Sequence, residues 1–149
     1  MWQQAYGYHQ EGDYEETVRL YKESLDIFPS AEAHTFLGWT YSFQGRLEEA
    51  IEECRKAIRV DPDFRNPYND IGAYLIQLGK PDEAIPWLEA AIQARRYESY
   101  CFPHMNLGRV YETKGKWPQT IVEYRKAVNC NPDYEDSLRA LKQLQVRMN

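Results

Sequence analysis

The chain has 149 residues, with 18 basic against 23 acidic side chains and a formal charge of −5. That balance argues against a nucleic-acid partner, because phosphate binding needs a net basic face. Hydrophobic residues at 43% and charged residues at 28% describe a soluble chain that folds, and no apolar run reaches the roughly 20 residues of a bilayer span. The first residues, Met1 to Tyr6, lack the basic-then-apolar pattern of a secretory leader. Cys54, Cys101 and Cys130 are odd in number and widely spaced, with no Cys-x-x-Cys pair. We read them as small apolar packing residues in a reducing compartment. The cytoplasm is therefore the expected location, or the periplasm if a leader has been removed.

The organisation of the chain is set by internal repetition. Ala5, Gly38, Gly72 and Gly108 are spaced 33, 34 and 36 residues apart. Seven residues after each comes a glycine: Gly12, Gly45, Gly79 and Gly115. Twelve after each comes Thr17, Ala50, Ala84 or Thr120, and nineteen after comes Ser24, Ala57, Ala91 or Ala127. The anchor is small where two helices are expected to cross at close range. The second glycine is expected just past a helix end, where a positive φ is needed. Leu37, Ile71 and Leu107, with Tyr8, Tyr41, Leu75 and Tyr111, fill the layer between.

In chain order the helices are predicted near 2–10 and 13–27, 31–44 and 47–60, 66–79 and 81–96, then 101–114 and 117–130. Glycines stop the first members of each pair, and Asp61-Pro62-Asp63 and Asn131-Pro132-Asp133 stop second members. Pro86 falls inside a predicted helix, where it removes one hydrogen bond and is expected to bend the helix slightly. The last segment, Tyr134 to Arg147, places Leu138, Leu141 and Leu144 on a helical period among charges, as a terminal cap of a repeat array does.

The string Leu37-Gly38-x-x-Tyr41, Ala50, Ala57, Pro62 resembles the tetratricopeptide repeat. The resemblance covers almost the whole chain and implies an all-α, right-handed superhelical solenoid of antiparallel helix pairs. It divides residues 1–149 into one domain with a partial repeat at 1–30, repeats at 31–64, 65–100 and 101–134, and a capping helix at 134–147. The usual tryptophan is replaced by Met1, His34, Tyr68 and His104, and Arg96 stands where a terminal proline is usual. The lengthened third repeat, with Tyr97 and Asn69-Asp70-Ile71-Gly72, is similar to that of type IV pilus pilotins.

No phosphate loop, Gly-x-Ser-x-Gly elbow or His-Glu-x-x-His pair occurs, so neither catalysis nor a bound metal or cofactor is expected. His34 and His104 share one repeat position and read as packing residues. Glu48, Glu49, Glu52 and Glu53, with Arg55, Lys56 and Arg59, read as a solvated helix face. The resemblance implies a ligand groove on the concave side, lined by Trp2, Tyr6, Phe36, Trp39, Phe43, Asn66, Asn69, Asp70, Ile76, Phe102, Met105, Asn106 and Arg109. Its N-terminal half is aromatic, and exposed aromatics mark interaction sites. The positions of a chaperone-tail carboxylate clamp hold no basic cluster, so the expected partner is a protein or peptide anchored by apolar or aromatic side chains. Alternatives are a self-associating subunit such as a homodimer, and a scaffold segment of a larger enzyme or of a pilus or secretion assembly factor.

Overall fold

The computed structural model describes residues 12–94, 101–131 and 135–148. Eight helices occur among them: α1 (Tyr14–Ile27), α2 (Ala31–Phe43), α3 (Leu47–Val60), α4 (Arg65–Gln77), α5 (Pro81–Gln93), α6 (Phe102–Thr113), α7 (Trp117–Cys130) and α8 (Glu135–Met148). Consecutive helices pack on one another along the chain, and α2, α4 and α6 also touch directly. The result is a solenoid of helix pairs α2–α3, α4–α5 and α6–α7, preceded by α1 and closed by α8. The predicted helix at 2–10 lies outside the described residues.

Local chemistry sets the helix ends. Asp13 Oδ1 accepts from the Glu16 N–H at 3.2 Å, and Ser30 Oγ from the Ala33 N–H at 3.1 Å, capping α1 and α2. Three first helices end in one motif. The Arg46 N–H donates to the Tyr41 carbonyl and the Gly45 N–H to the Ser42 carbonyl, at 2.9 and 3.0 Å. The same two bonds recur after α4 and α6. This Schellman closure needs a left-handed residue, supplied by Gly45 and Gly79 at φ 76°. Helix α5 runs through Pro86, which is exposed, and stops at Gln93, earlier than the sequence suggests, because Ala94 turns to extended backbone.

The anchors are small for the reason expected. A Cβ on Gly38 would sit 2.9 Å from the Ala50 carbonyl oxygen, one on Gly72 2.6 Å from Leu88 Cγ, and one on Gly108 inside the Tyr124 ring. Across these three crossings Ala50, Ala84 and Thr120 are fully buried, and so is Thr17 on α1. The two threonines satisfy their hydroxyls by donating to the Asp13 and Lys116 carbonyls one turn back, at 2.7 and 2.9 Å. A main core runs through Tyr21, Leu37, Cys54, Ile71, Leu88 and Val110. A second, of Met105, Tyr124, Ala127 and Leu144, seats α8.

Two sequence readings are corrected. Cys101 and Cys130 form a disulfide, their Cα atoms 5.6 Å apart, while Cys54 alone is a buried free thiol. The antiparallel pair brings the residue before α6 beside the last residue of α7, contacts that linear spacing hides. The equivalent positions of the preceding pair, Arg65 and Ala94, are also tied: the Arg65 guanidinium donates to the Ala94 carbonyl at 2.6 Å. Glu53, in turn, is buried and not on a solvated face. It accepts from Lys56 at 2.9 Å and meets His34 Nδ1 at 2.8 Å.

Candidate peptide-binding groove

Because α2, α4 and α6 pack side by side, with α3, α5 and α7 behind them, their remaining faces form one inner surface. On α2 this surface is aromatic. Phe36 stacks on the buried Tyr21 ring at 5.9 Å, Trp39 lies 6.2 Å from Phe36, and Phe43 meets Trp39 edge-on at 5.6 Å. Tyr14 of α1 stacks on Phe43 at 5.8 Å. The row is graded in exposure: Phe36 is half-buried, whereas Trp39 is 38% and Phe43 52% exposed. Aromatic residues of this kind are enriched at protein interfaces.

Across α4 and α6 the surface becomes polar. Asn106 Nδ2 donates to Asn69 Oδ1 at 3.0 Å, and the Arg109 guanidinium donates to Asn106 Oδ1 at 3.3 Å. Both asparagines are buried, and Arg109 is exposed. Asp70, half-buried beside Asn69, has its carboxyl pushed up to about 7 by burial, with the Asn69 hydrogen bond working the other way. Phe102 is 44% exposed at the start of α6. Asn66 is half-buried on the first turn of α4. Ile76 packs partly against the main core, and Met105 is buried in the second core. Trp2 and Tyr6 lie outside the described residues.

Three features here escaped the sequence reading. A cavity of about 290 Å³ opens between α6 and α8, lined by Met105, Arg109, Glu112, Tyr124, Arg139, Ala140 and Gln143. The buried Tyr124 hydroxyl donates to Glu112 Oε2 at 2.5 Å, and desolvation first, then that carboxylate, raises the phenol well above its usual range. Its residues come from three helices, so no local pattern reports it. The second feature is a paired brace. His34 with Glu53, and His104 with Glu123, join the two helices of their pairs at 2.8 and 2.7 Å. Tyr68 and Trp87 hold the same positions in the middle pair, their rings 6.3 Å apart. Burial opposes ionisation of Glu53 and Glu123, but their histidine and lysine partners outweigh it and hold both carboxyls below the ordinary range. The recurrent 19-residue spacing is the signal that would have revealed it. The third is Ala73, half-buried one turn beyond Asp70.

Residues 31–64 and 68–96 each match the tetratricopeptide repeat family. The chain is 29% identical over 141 residues to the TPR repeat-containing thioredoxin TTL4 of Arabidopsis thaliana, covering 90% of this chain and 20% of that protein. It is also 29% identical over 126 residues to the type IV pilus assembly protein PilF of Pseudomonas aeruginosa, covering 84% and 50%. The chain thus spans half or less of the length of these curated relatives. The solved structure of Pseudomonas aeruginosa PilF superposes with a TM-score of 0.90 at 26% identity, covering 99% of this chain and 67% of that one.

Proposed function

With residues 31–64 and 68–96 being tetratricopeptide repeats in an all-helical solenoid, we propose that the chain is a non-catalytic scaffold that holds a protein segment along its inner surface. Repeats of this kind mediate protein–protein interaction. The finer reading, that the segment lies in the groove with an apolar or aromatic side chain on Trp39 and Phe43, is supported by one observation above the others. Two large aromatics stay exposed at 38% and 52% on the inner surface while the rings beside them are stacked into place. Immobilised protein and its Trp39→Ala/Phe43→Ala variant are to be compared against a panel of partner fragments. The reading requires the variant to lose partners that the unaltered protein retains; equal retention would sink it. Light scattering on both proteins separates this from self-association, which predicts that the double substitution changes the mass.

The compartment also needs a second reading. The Cys101–Cys130 disulfide favours an oxidising environment over the reducing one expected from cysteine spacing. Alkylation of the denatured, unreduced protein taken from its native compartment should label Cys54 alone; labelling of three cysteines would refute it.

A further inference from the structure

The three inner helices carry equivalent pairs of positions one turn apart, and the middle pair is unlike its neighbours. On α2 the pair is Phe36 and Trp39, ring beside ring at 6.2 Å. On α6 it is Asn106 and Arg109, joined by a 3.3 Å hydrogen bond. On α4 it is Asp70 and Ala73. Residues three apart share a helix face, so Ala73, one turn beyond Asp70, holds the position that Trp39 and Arg109 hold on the neighbouring helices. The Asp70–Ala73 notch is thus a step down in side-chain size on the middle helix, between the helix that carries the exposed Trp39 and the helix that carries the exposed Arg109.

Among the described residues that carboxylate lacks a counter-charge. Among the described residues no lysine or arginine ion-pairs with it, and Asn69 is the group that hydrogen-bonds its charged form. Behind it lies the buried Cys54 thiol, whose own ionisation Asp70 opposes. Cys54 is packed at the α2–α3 crossing, where a Cβ on Gly38 would be 3.3 Å from its Sγ. The Arg109 guanidinium is engaged by Asn106 on the far side. A half-buried acid with no cationic partner among the described residues, on an inner surface that also carries exposed aromatics, is a candidate functional position.

We infer that the Asp70–Ala73 notch receives a lysine or arginine side chain of the bound segment, its aliphatic stem against Trp39 and its cationic head on the Asp70 carboxylate. The inference rests on the groove reading above and adds the chemistry that the groove selects. A cation fits on three counts. The carboxylate gains the partner that burial has denied it. A long basic side chain carries an apolar stem suited to an indole face, and its head is attracted to the ring quadrupole. The chain as a whole is acidic, at −5, so basic segments are drawn to it. A metal ion is a poorer occupant, because the described residues contain no cluster of three His, Cys, Asp or Glu ligands.

The test is selection of a displayed random nonapeptide library on the full chain and on its Asp70→Asn variant, a substitution close to isosteric. A selected peptide is then resynthesised with its basic residue kept or replaced by the uncharged isostere norleucine. We expect aromatic or aliphatic residues accompanied by lysine or arginine from the unaltered protein, and loss of the basic residue from Asp70→Asn selections. The basic peptide should bind about 10- to 100-fold tighter than its norleucine counterpart to the unaltered protein, and equally tightly to Asp70→Asn. Apolar enrichment without basic residues, or a lysine preference that survives Asp70→Asn, overturns the notch and leaves the groove reading standing. No enrichment on either protein, with both melting normally, overturns both.

Discussion

Gly72→Ala is the most direct probe of how the solenoid is assembled. The new Cβ would sit 2.6 Å from Leu88 Cγ, where ordinary contacts are 3.4–4 Å, so the fully buried Leu88 must yield by about 1 Å. Overpacking of that kind costs about 1–3 kcal/mol. Exchanging glycine for alanine inside a helix returns about 1 kcal/mol. The expected net loss is therefore about 0–2 kcal/mol, read from urea unfolding. The decisive measurement is a double-mutant cycle with Leu88→Ala, which alone costs about 2–5 kcal/mol. With Leu88 truncated the clash is gone, so Gly72→Ala should become neutral or stabilise by up to about 1 kcal/mol. Gly79→Ala is the contrasting control. No atom lies within 4 Å of its added Cβ, but its φ is 76°, so it should cost about 1–2 kcal/mol whether or not Leu88 is present. A Gly72→Ala cost that is the same in both backgrounds would refute the close-crossing explanation of the anchors.

Other predictions concern charge and cross-linking. Asp70 has a folded-state value of about 7, above its ordinary carboxylate value. The folded chain therefore holds a proton that the unfolded chain has lost, and stability falls as pH rises from about 4 to 7. Asp70→Asn should match the unaltered protein near pH 4 and exceed it by about 2–4 kcal/mol at pH 8, at about 1.4 kcal/mol per pH unit with allowance for a half-buried site. A constant difference across that range would contradict the desolvated acid. Glu53 and Glu123 act in the opposite sense: their depressed carboxyls contribute stability above the unfolded value that is lost as pH falls through the folded one. Glu53→Gln, which leaves His34 and Lys56 without a carboxylate, should cost about 1–3 kcal/mol at pH 7 and less in acid, as chemical denaturation at both values would show. Cys101→Ser with Cys130→Ser opens a cross-link of 29-residue separation. Chain-entropy reasoning puts the loss at about 3–4 kcal/mol, and an unchanged denaturation midpoint would argue that the bond is not formed.

Much of the fold was legible because its determinants are local and repeated. Gly45 and Gly79 announce helix ends through a backbone conformation that other residues adopt only under strain, and the predicted ends fall within two residues of those observed. The small residues at Ala50, Ala57, Ala84 and Ala91 announce crossings because a larger side chain has no room there. Boundaries slipped where the signal was weakest, as at Ala94, which turns to extended backbone with no glycine or proline following it to mark a stop.

The inner surface was only partly legible. Repeat offsets picked out Trp39, Phe43, Asp70, Asn106 and Arg109, since any side chain on that face of a first helix must point inward. Offsets could not separate Met105, buried with α8, from Trp39, exposed on the inner surface. That depends on which helix lies opposite. The cysteines show the same limit: linear spacing made Cys101 and Cys130 look unrelated, and antiparallel packing made them a pair.

By itself, then, the sequence determined the helix pairs, their turns and the close crossings, all of which follow from backbone conformation and side-chain size at fixed offsets. Only the tertiary structure decided which charges were left without partners. Glu53 found His34 across a helix pair and Lys56 on its own helix, whereas Asp70 has Asn69 as its hydrogen-bond partner and no ion pair among the described residues. The physical reason is that a charge's environment is set by the elements packed around it, and those are far apart along the chain.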